Sequence, residues 1–112
     1  MTHIQYSDFE QVDIRAGVII AVVDFPEARK PAYQLTIDFG PVIGIKKSSA
    51  QITKLYTKEQ LVGMRIMAVI NFAPKQVANF MSEVLTLGFP DAEGQVVLAT
   101  IERDVPLGGK LF

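Results

Sequence analysis

Tyr33-Gln34-Leu35-Thr36-Ile37-Asp38-Phe39 sets the frame for the whole chain, because Tyr33, Leu35, Ile37 and Phe39 are apolar and the three residues between them are polar. Side chains alternate across a strand with a period of two, so this stretch predicts a β-strand with one face in a core and the other toward water. Gly40-Pro41 predicts a turn after it, and Val42 to Lys47 predicts the strand that returns antiparallel. Upstream, Ile14 to Val23 is apolar on both alternating sets, as a strand covered on both faces would be. Pro26 and Pro31 bracket a loop that holds Glu27, Ala28, Arg29 and Lys30.

Downstream the alternation breaks at Ser48-Ser49-Ala50-Gln51. Thr57-Lys58-Glu59-Gln60 has the form of a capping box and predicts a short helix, which Gly63 can end in a left-handed conformation. Ser7-Asp8-Phe9-Glu10 has the same form and predicts a short helix over residues 8 to 12. Met64 to Phe72 alternates again, with Met64, Ile66, Ala68 and Ile70 on one side, and Ala73-Pro74-Lys75 ends that strand. Ser82 to Gly88 and Val96 to Glu102 complete the set, joined by the breaker-rich Phe89 to Gly94. Five main strands with a helix between the third and fourth is the element order of the oligonucleotide/oligosaccharide-binding (OB) fold, although alternation alone equally allows a small sandwich. The expectation is a mainly β chain forming one domain: a five-stranded OB-fold barrel over about residues 12 to 103, with short helices and N- and C-terminal extensions.

Composition narrows the chemistry. The chain has 112 residues and no cysteine, which excludes a disulfide scaffold, cysteine-ligated zinc and a thiol nucleophile, and suits a reducing cytoplasm. His3 is the only histidine and lies near the N-terminus, so neither a Ser/His/Asp arrangement nor a histidine-rich metal site has a credible base or ligand set. The longest apolar run, Ala16 to Val23, is far too short to span a bilayer, and the N-terminus lacks a basic-then-apolar signal pattern. Sequence therefore predicts a soluble, cytoplasmic protein without membrane insertion. Yet 49% of residues are hydrophobic, a surplus that points to a buried subunit interface.

Net charge is only −1, but it is sorted along the chain. From Arg29 to Lys75 there are eight bases against two acids, Asp38 and Glu59, whereas the remainder has three bases and ten acids. A middle segment this basic, folded into a small body, predicts a positive surface that attracts phosphates or acidic peptide segments, unless its lysines merely solvate ordinary strands and loops.

Four stretches carry a resemblance to a known family: Asp13-Ile14-Arg15-Ala16-Gly17-Val18-Ile19, Phe25-Pro26-Glu27-Ala28, Asn71-Phe72-Ala73-Pro74-Lys75 and Ser82-Glu83-Val84-Leu85. Together they resemble the tRNA-binding domain family, which includes the appended domains of methionyl-tRNA synthetases and free-standing tRNA-binding proteins. Ala28-Arg29-Lys30-Pro31-Ala32-Tyr33, with Gly44-Ile45-Lys46-Lys47-Ser48-Ser49-Ala50-Gln51-Ile52-Thr53, is similar to the CsaA branch of export-related chaperones. The resemblance covers nearly the whole chain. It implies an OB-type barrel, a homodimer, and binding of unfolded or presecretory polypeptides on a fold otherwise used for tRNA, with a link to the export machinery. It brings no cofactor, no metal and no catalysis.

The candidate ligand-binding residues, for peptide or tRNA, are Lys46, Lys47, Ser48, Ser49, Gln51, Asn71, Phe72, Lys75, Ser82 and Glu83. Lys46, Lys47, Ser48 and Ser49 combine charge with short hydroxyl donors where a strand stops, a composition able to hold phosphate oxygens or carboxylates, or simply a solvated strand end. Asn71 either presents its amide at the barrel rim or hydrogen-bonds backbone to cap its loop, whose conformation Pro74, next to Lys75, restricts. Ser82 and Glu83 open the fifth strand, and Glu83 is a misfit for nucleic acid because its carboxylate repels phosphates. Tyr33 and Phe39 belong to the regular core face, so Phe72 and Phe80 are the better platforms for a base or an apolar side chain. Tyr6, Phe9, Leu111 and Phe112, near the termini, pack onto the barrel or form a dimer seam.

Overall fold

Alternation in the second strand is borne out in space. The computed structural model describes residues 1–112 and runs α1 (Tyr6–Glu10), β1 (Ile14–Asp24), β2 (Tyr33–Asp38), α2 (Gly40–Ile43), β3 (Ile45–Ala50), α3 (Lys58–Leu61), β4 (Arg65–Val69), β5 (Lys75–Val77), β6 (Phe80–Ser82), β7 (Leu85–Thr86), β8 (Gly88–Pro90) and β9 (Val96–Leu98). Tyr33, Leu35 and Ile37 of β2, with Phe39 after it, are buried, and Gln34, Thr36 and Asp38 face outward. One antiparallel sheet in the order β3-β2-β1-β4-β7 curls into a nearly closed five-stranded barrel around Ile19, Leu35, Ile37, Phe39, Leu61, Ile66 and Ala68. With a helix between β3 and β4, this is the OB-type barrel rather than the sandwich.

The long first strand serves two neighbours. Ile14 to Val18 pair with β4 and Val18 to Asp24 pair with β2, the register shifting between Ile19 and Ala21. Beside the first half, the chain's last residues take the vacant edge: Ala16 N–H donates to Gly109 O (3.0 Å) and Leu111 N–H to Ile14 O (2.9 Å). Gly17 is required here, because a Cβ would sit 2.7 Å from Ile37 Cγ2 and 2.8 Å from Phe39 Cε1. The helix before β4 forms as its box predicts. Gln60 N–H donates to Thr57 Oγ1 (3.2 Å), Thr57 N–H to Gln60 Oε1 (2.9 Å), and Gly63 follows with φ +91°. Leu61, on its inner side, is fully buried.

Five boundaries differ from expectation. The box that starts α1 lies two residues upstream: Gln5 is the cap, and its N–H donates to Asp8 Oδ2 (2.8 Å), leaving Ser7 inside the helix. Gly40-Pro41 opens one helical turn, α2, so β3 begins at Ile45 rather than Val42. That strand does not stop at Ser48. It continues to Ala50, in register with β2 as far as Tyr33, and Ser48 points inward and is fully buried. Ser82 to Gly88 is not one strand: Ser82 ends a hairpin arm, Leu85–Thr86 pairs with β4, and Gly88 starts the short ribbon β8–β9. That ribbon's second arm ends at Leu98, not Glu102, and Thr100 makes only an isolated bridge to Ile66. No helix is long and apolar enough to cross a membrane.

Candidate functional site

A groove of about 540 Å³ runs between the outer face of β2–β3 and the β5–β6 hairpin, lined by Gln34, Lys47, Pro74, Asn79, Phe80, Met81 and Glu83. The phase of β2 places Gln34 outside the barrel, and its neighbour across the ladder, Ser49, shares that face with Lys47. Phe80 enters from the hairpin and packs its ring on Phe25, at the base of the β1–β2 loop, with centroids 5.4 Å apart. That contact brings the loop carrying Arg29 and Lys30 to the hairpin's side of the barrel. The hairpin turns through Ala78, whose φ of +51° is a conformation that favours glycine.

Beneath the groove lies the seam that closes the barrel. Glu83 N–H donates to Lys47 O (2.8 Å), and Lys47 N–H donates back to the Glu83 carboxylate at Oε1 (2.9 Å). Ser49 N–H donates to Ser82 Oγ (3.0 Å), and the hydroxyls of Ser48 and Thr86 meet at 2.8 Å. Side-chain oxygens of Ser82 and Glu83 thus stand where a neighbouring strand's carbonyls would be. This local chemistry is why a Ser-Glu pair occurs there.

Of the residues the sequence singles out, Lys47, Phe80 and Glu83 meet in the groove. Ser49 and Ser82 lie in the seam, and Ser48 is 0% exposed, its hydroxyl directed to Thr86 and away from any ligand. Asn71 stands apart: its Oδ1 accepts from Asp13 N–H (3.0 Å) and its Nδ2 donates to Gln11 O (2.7 Å), so the amide fixes the segment between α1 and β1. Phe72 is 57% exposed but does not line the groove, and neither do Lys46, Gln51 and Lys75. Gln34, Asn79 and Met81 line it without having been singled out by the sequence. The outward phase of β2 is a usable signal for Gln34. Val77-Ala78-Asn79-Phe80 carries only Asn79 as a turn signal, with neither glycine nor proline beside it.

The basic segment survives folding as largely unneutralised charge. Of its eight bases, Lys58 pairs with Asp24 (2.9 Å) and Arg65 with Asp104 (2.9 Å), whereas Arg29, Lys30, Lys46, Lys47, Lys54 and Lys75 form no ion pair. The hydrogen bond and charge of Asp24 hold the Lys58 ammonium above the usual lysine range. The Lys47 ammonium donates to the Thr36 hydroxyl (3.0 Å). Chemically, the groove offers amides, one cation, one anion and an apolar wall, with no nucleophile paired to a base.

Residues 14–110 match the family model described as "Putative tRNA binding domain". Among solved structures, the CsaA chaperone protein of Picrophilus torridus is 53% identical, with a TM-score of 0.92 over 98% of this chain and 100% of that one. The chaperone CsaA of Bacillus anthracis is 48% identical, with a TM-score of 0.91 over 99% of this chain and 100% of that one. The methionine–tRNA ligase of Methanocaldococcus jannaschii is 31% identical across 99% of this chain, which spans only 17% of that enzyme's length. With a barrel closed as above and a match from Ile14 to Lys110, the chain belongs to the tRNA-binding domain family, in its CsaA-type branch.

Proposed function

We propose that this protein is a non-catalytic chaperone that binds segments of unfolded or presecretory polypeptides in the groove between β2–β3 and the β5–β6 hairpin. The observation that carries this reading is Glu83. Its carboxylate shares the groove with Phe80 and Met81, an anion beside an apolar wall, which suits a polypeptide and repels a phosphate backbone. The likeness to two CsaA chaperones along their whole length supports the same reading. On this proposal the protein works in the cytoplasm as a homodimer, with the export machinery as a downstream partner.

A second reading, tRNA binding, has its own support in the six bases without ion-pair partners and in the family's name. Competition between bulk tRNA and a labelled unfolded polypeptide, repeated over a salt series, separates the two. Phosphate contacts weaken steeply with salt, by a log–log slope of roughly −0.7 to −0.9 each, whereas apolar contacts do not. Polypeptide binding that persists at high salt supports the chaperone. Binding of tRNA alone, with a steep slope, overturns it.

A further inference from the structure

The two walls of the groove differ in chemistry, and the difference specifies the ligand more narrowly than any polypeptide. One wall is the barrel face, with Gln34 and Lys47 and with Glu83 at its margin. The other is the hairpin segment, with Pro74, Asn79, Phe80 and Met81. The ammonium of Lys47 is held only by the Thr36 hydroxyl (3.0 Å), and the carboxylate of Glu83 only by the Lys47 backbone N–H (2.9 Å). Neither group belongs to any of the ion pairs in the molecule, and they do not pair with each other. One cation and one anion therefore face the same groove, each without a counter-ion.

An extended chain directs successive side chains to opposite sides, and residues two apart on one side are roughly 6.5–7 Å from each other. A segment lying along this groove presents one set of side chains to the charged wall and the alternate set to the hairpin. We infer that the groove selects amphipathic, strand-forming segments of unfolded chains: residues of opposite charge two apart on one side, neutralising Glu83 and Lys47, and apolar residues on the other, seated on Phe80 and Met81. This inference rests on the polypeptide reading of the site. It also gives the site a logic, since the alternating pattern is the one that pairs wrongly with other strand edges before a β protein has folded.

The test uses short labelled peptides read by fluorescence anisotropy on the full chain. One alternates apolar residues with Lys and Glu, so that opposite charges fall two apart. A second replaces those charges with Gln, and a third has the first peptide's composition with the alternation scrambled. The wild type is expected to bind the alternating charged peptide about fivefold more tightly than either control, as two solvent-accessible ion pairs supply. Glu83→Gln keeps an oxygen for the Lys47 N–H and removes the charge, so it is expected to narrow the gap between the charged and neutral peptides from about fivefold to about twofold, the share left to the Lys47 pair. Equal affinity for all three peptides overturns the inference and leaves polypeptide binding standing, as does a Glu83→Gln loss that is the same for every peptide. No binding of any peptide overturns both.

Discussion

Glu83 and Lys47 are joined by two hydrogen bonds, 2.8 Å from the Glu83 N–H to the Lys47 carbonyl and 2.9 Å from the Lys47 N–H to the Glu83 carboxylate. The second bond puts a side-chain oxygen where a strand would put a carbonyl. One residue therefore both closes the barrel and supplies the groove's negative charge, and the two roles come apart by substitution. Glu83→Ala removes the acceptor and is expected to lower stability by about 1 kcal/mol, the net worth of a typical intramolecular hydrogen bond. Glu83→Gln retains it and is expected to stay within about 0.5 kcal/mol of wild type, as surface substitutions usually do. Chemical denaturation of the three proteins checks this. Equal losses from Ala and Gln would show that the charge, not the acceptor, holds the seam.

Asn71 works at a distance from the groove. Both ends of its amide are used on Gln11 and Asp13, which tether the segment carrying α1. Asn71→Ala is expected to free that segment: cleavage by a nonspecific protease before Asp13 rises several-fold, while peptide affinity at the groove is unchanged. The comparison is limited proteolysis beside anisotropy on one preparation. A large loss of peptide binding with no change in proteolysis would return Asn71 to the site.

These two residues mark where sequence reading succeeds and where it stops. Alternation from Tyr33 to Phe39 is enforced by burial of every second side chain, so it is visible without a structure. The Thr57 capping box is local, and its two hydrogen bonds span three residues. Ser48 is the opposite case. A short hydroxyl next to two lysines resembles a solvated loop, yet it is buried because a partner 38 residues away, Thr86, satisfies it. Asn71 likewise depends on partners 58 and 60 residues distant. Local pattern reports which face is buried; it does not report which polar group across the barrel makes burial of a hydroxyl tolerable.

The lysines divide by whether folding has already neutralised them. Lys47→Glu, in the groove, is expected to weaken binding of an acidic or nucleic-acid ligand by about tenfold with little change in melting temperature, because exposed charges add little stability. Lys75→Glu, on the hairpin but outside the groove, is expected to act more weakly, through the field alone. Lys58→Glu replaces a lysine already paired with Asp24, at 2.9 Å, and is expected to have the smallest effect on the ligand. Titration of each variant at one fixed salt concentration checks the order. Equal losses at all three positions would mean a diffuse positive field and no site at Lys47.

Part of the apolar surplus lies on a different face. Ile14, Ala16, Met67, Ile101, Val105, Leu111 and Phe112 border a hollow of about 280 Å³ beside β1 and β4, and Phe112 is 99% exposed. Leu85 and Phe89 add further exposed apolar surface, Leu85 from β4's partner strand and Phe89 from the ribbon after it. Exposed surface of this kind suits burial against a second copy, and a stable symmetric dimer buries at least about 1,000 Å² in total. Sedimentation is expected to show a dimer at tens of micromolar. Val105→Lys and Leu111→Lys each add a cation to a hollow that Arg15 and Lys110 already line, and are expected to give a monomer, since a charge buried without an opposite partner costs several kcal/mol. No residue of this face lines the peptide groove, so each monomeric variant is expected to retain the wild-type affinity for a single peptide. A wild-type monomer under the same conditions would refute the dimer, and monomeric variants that bind no peptide would show that the groove is complete only in the dimer.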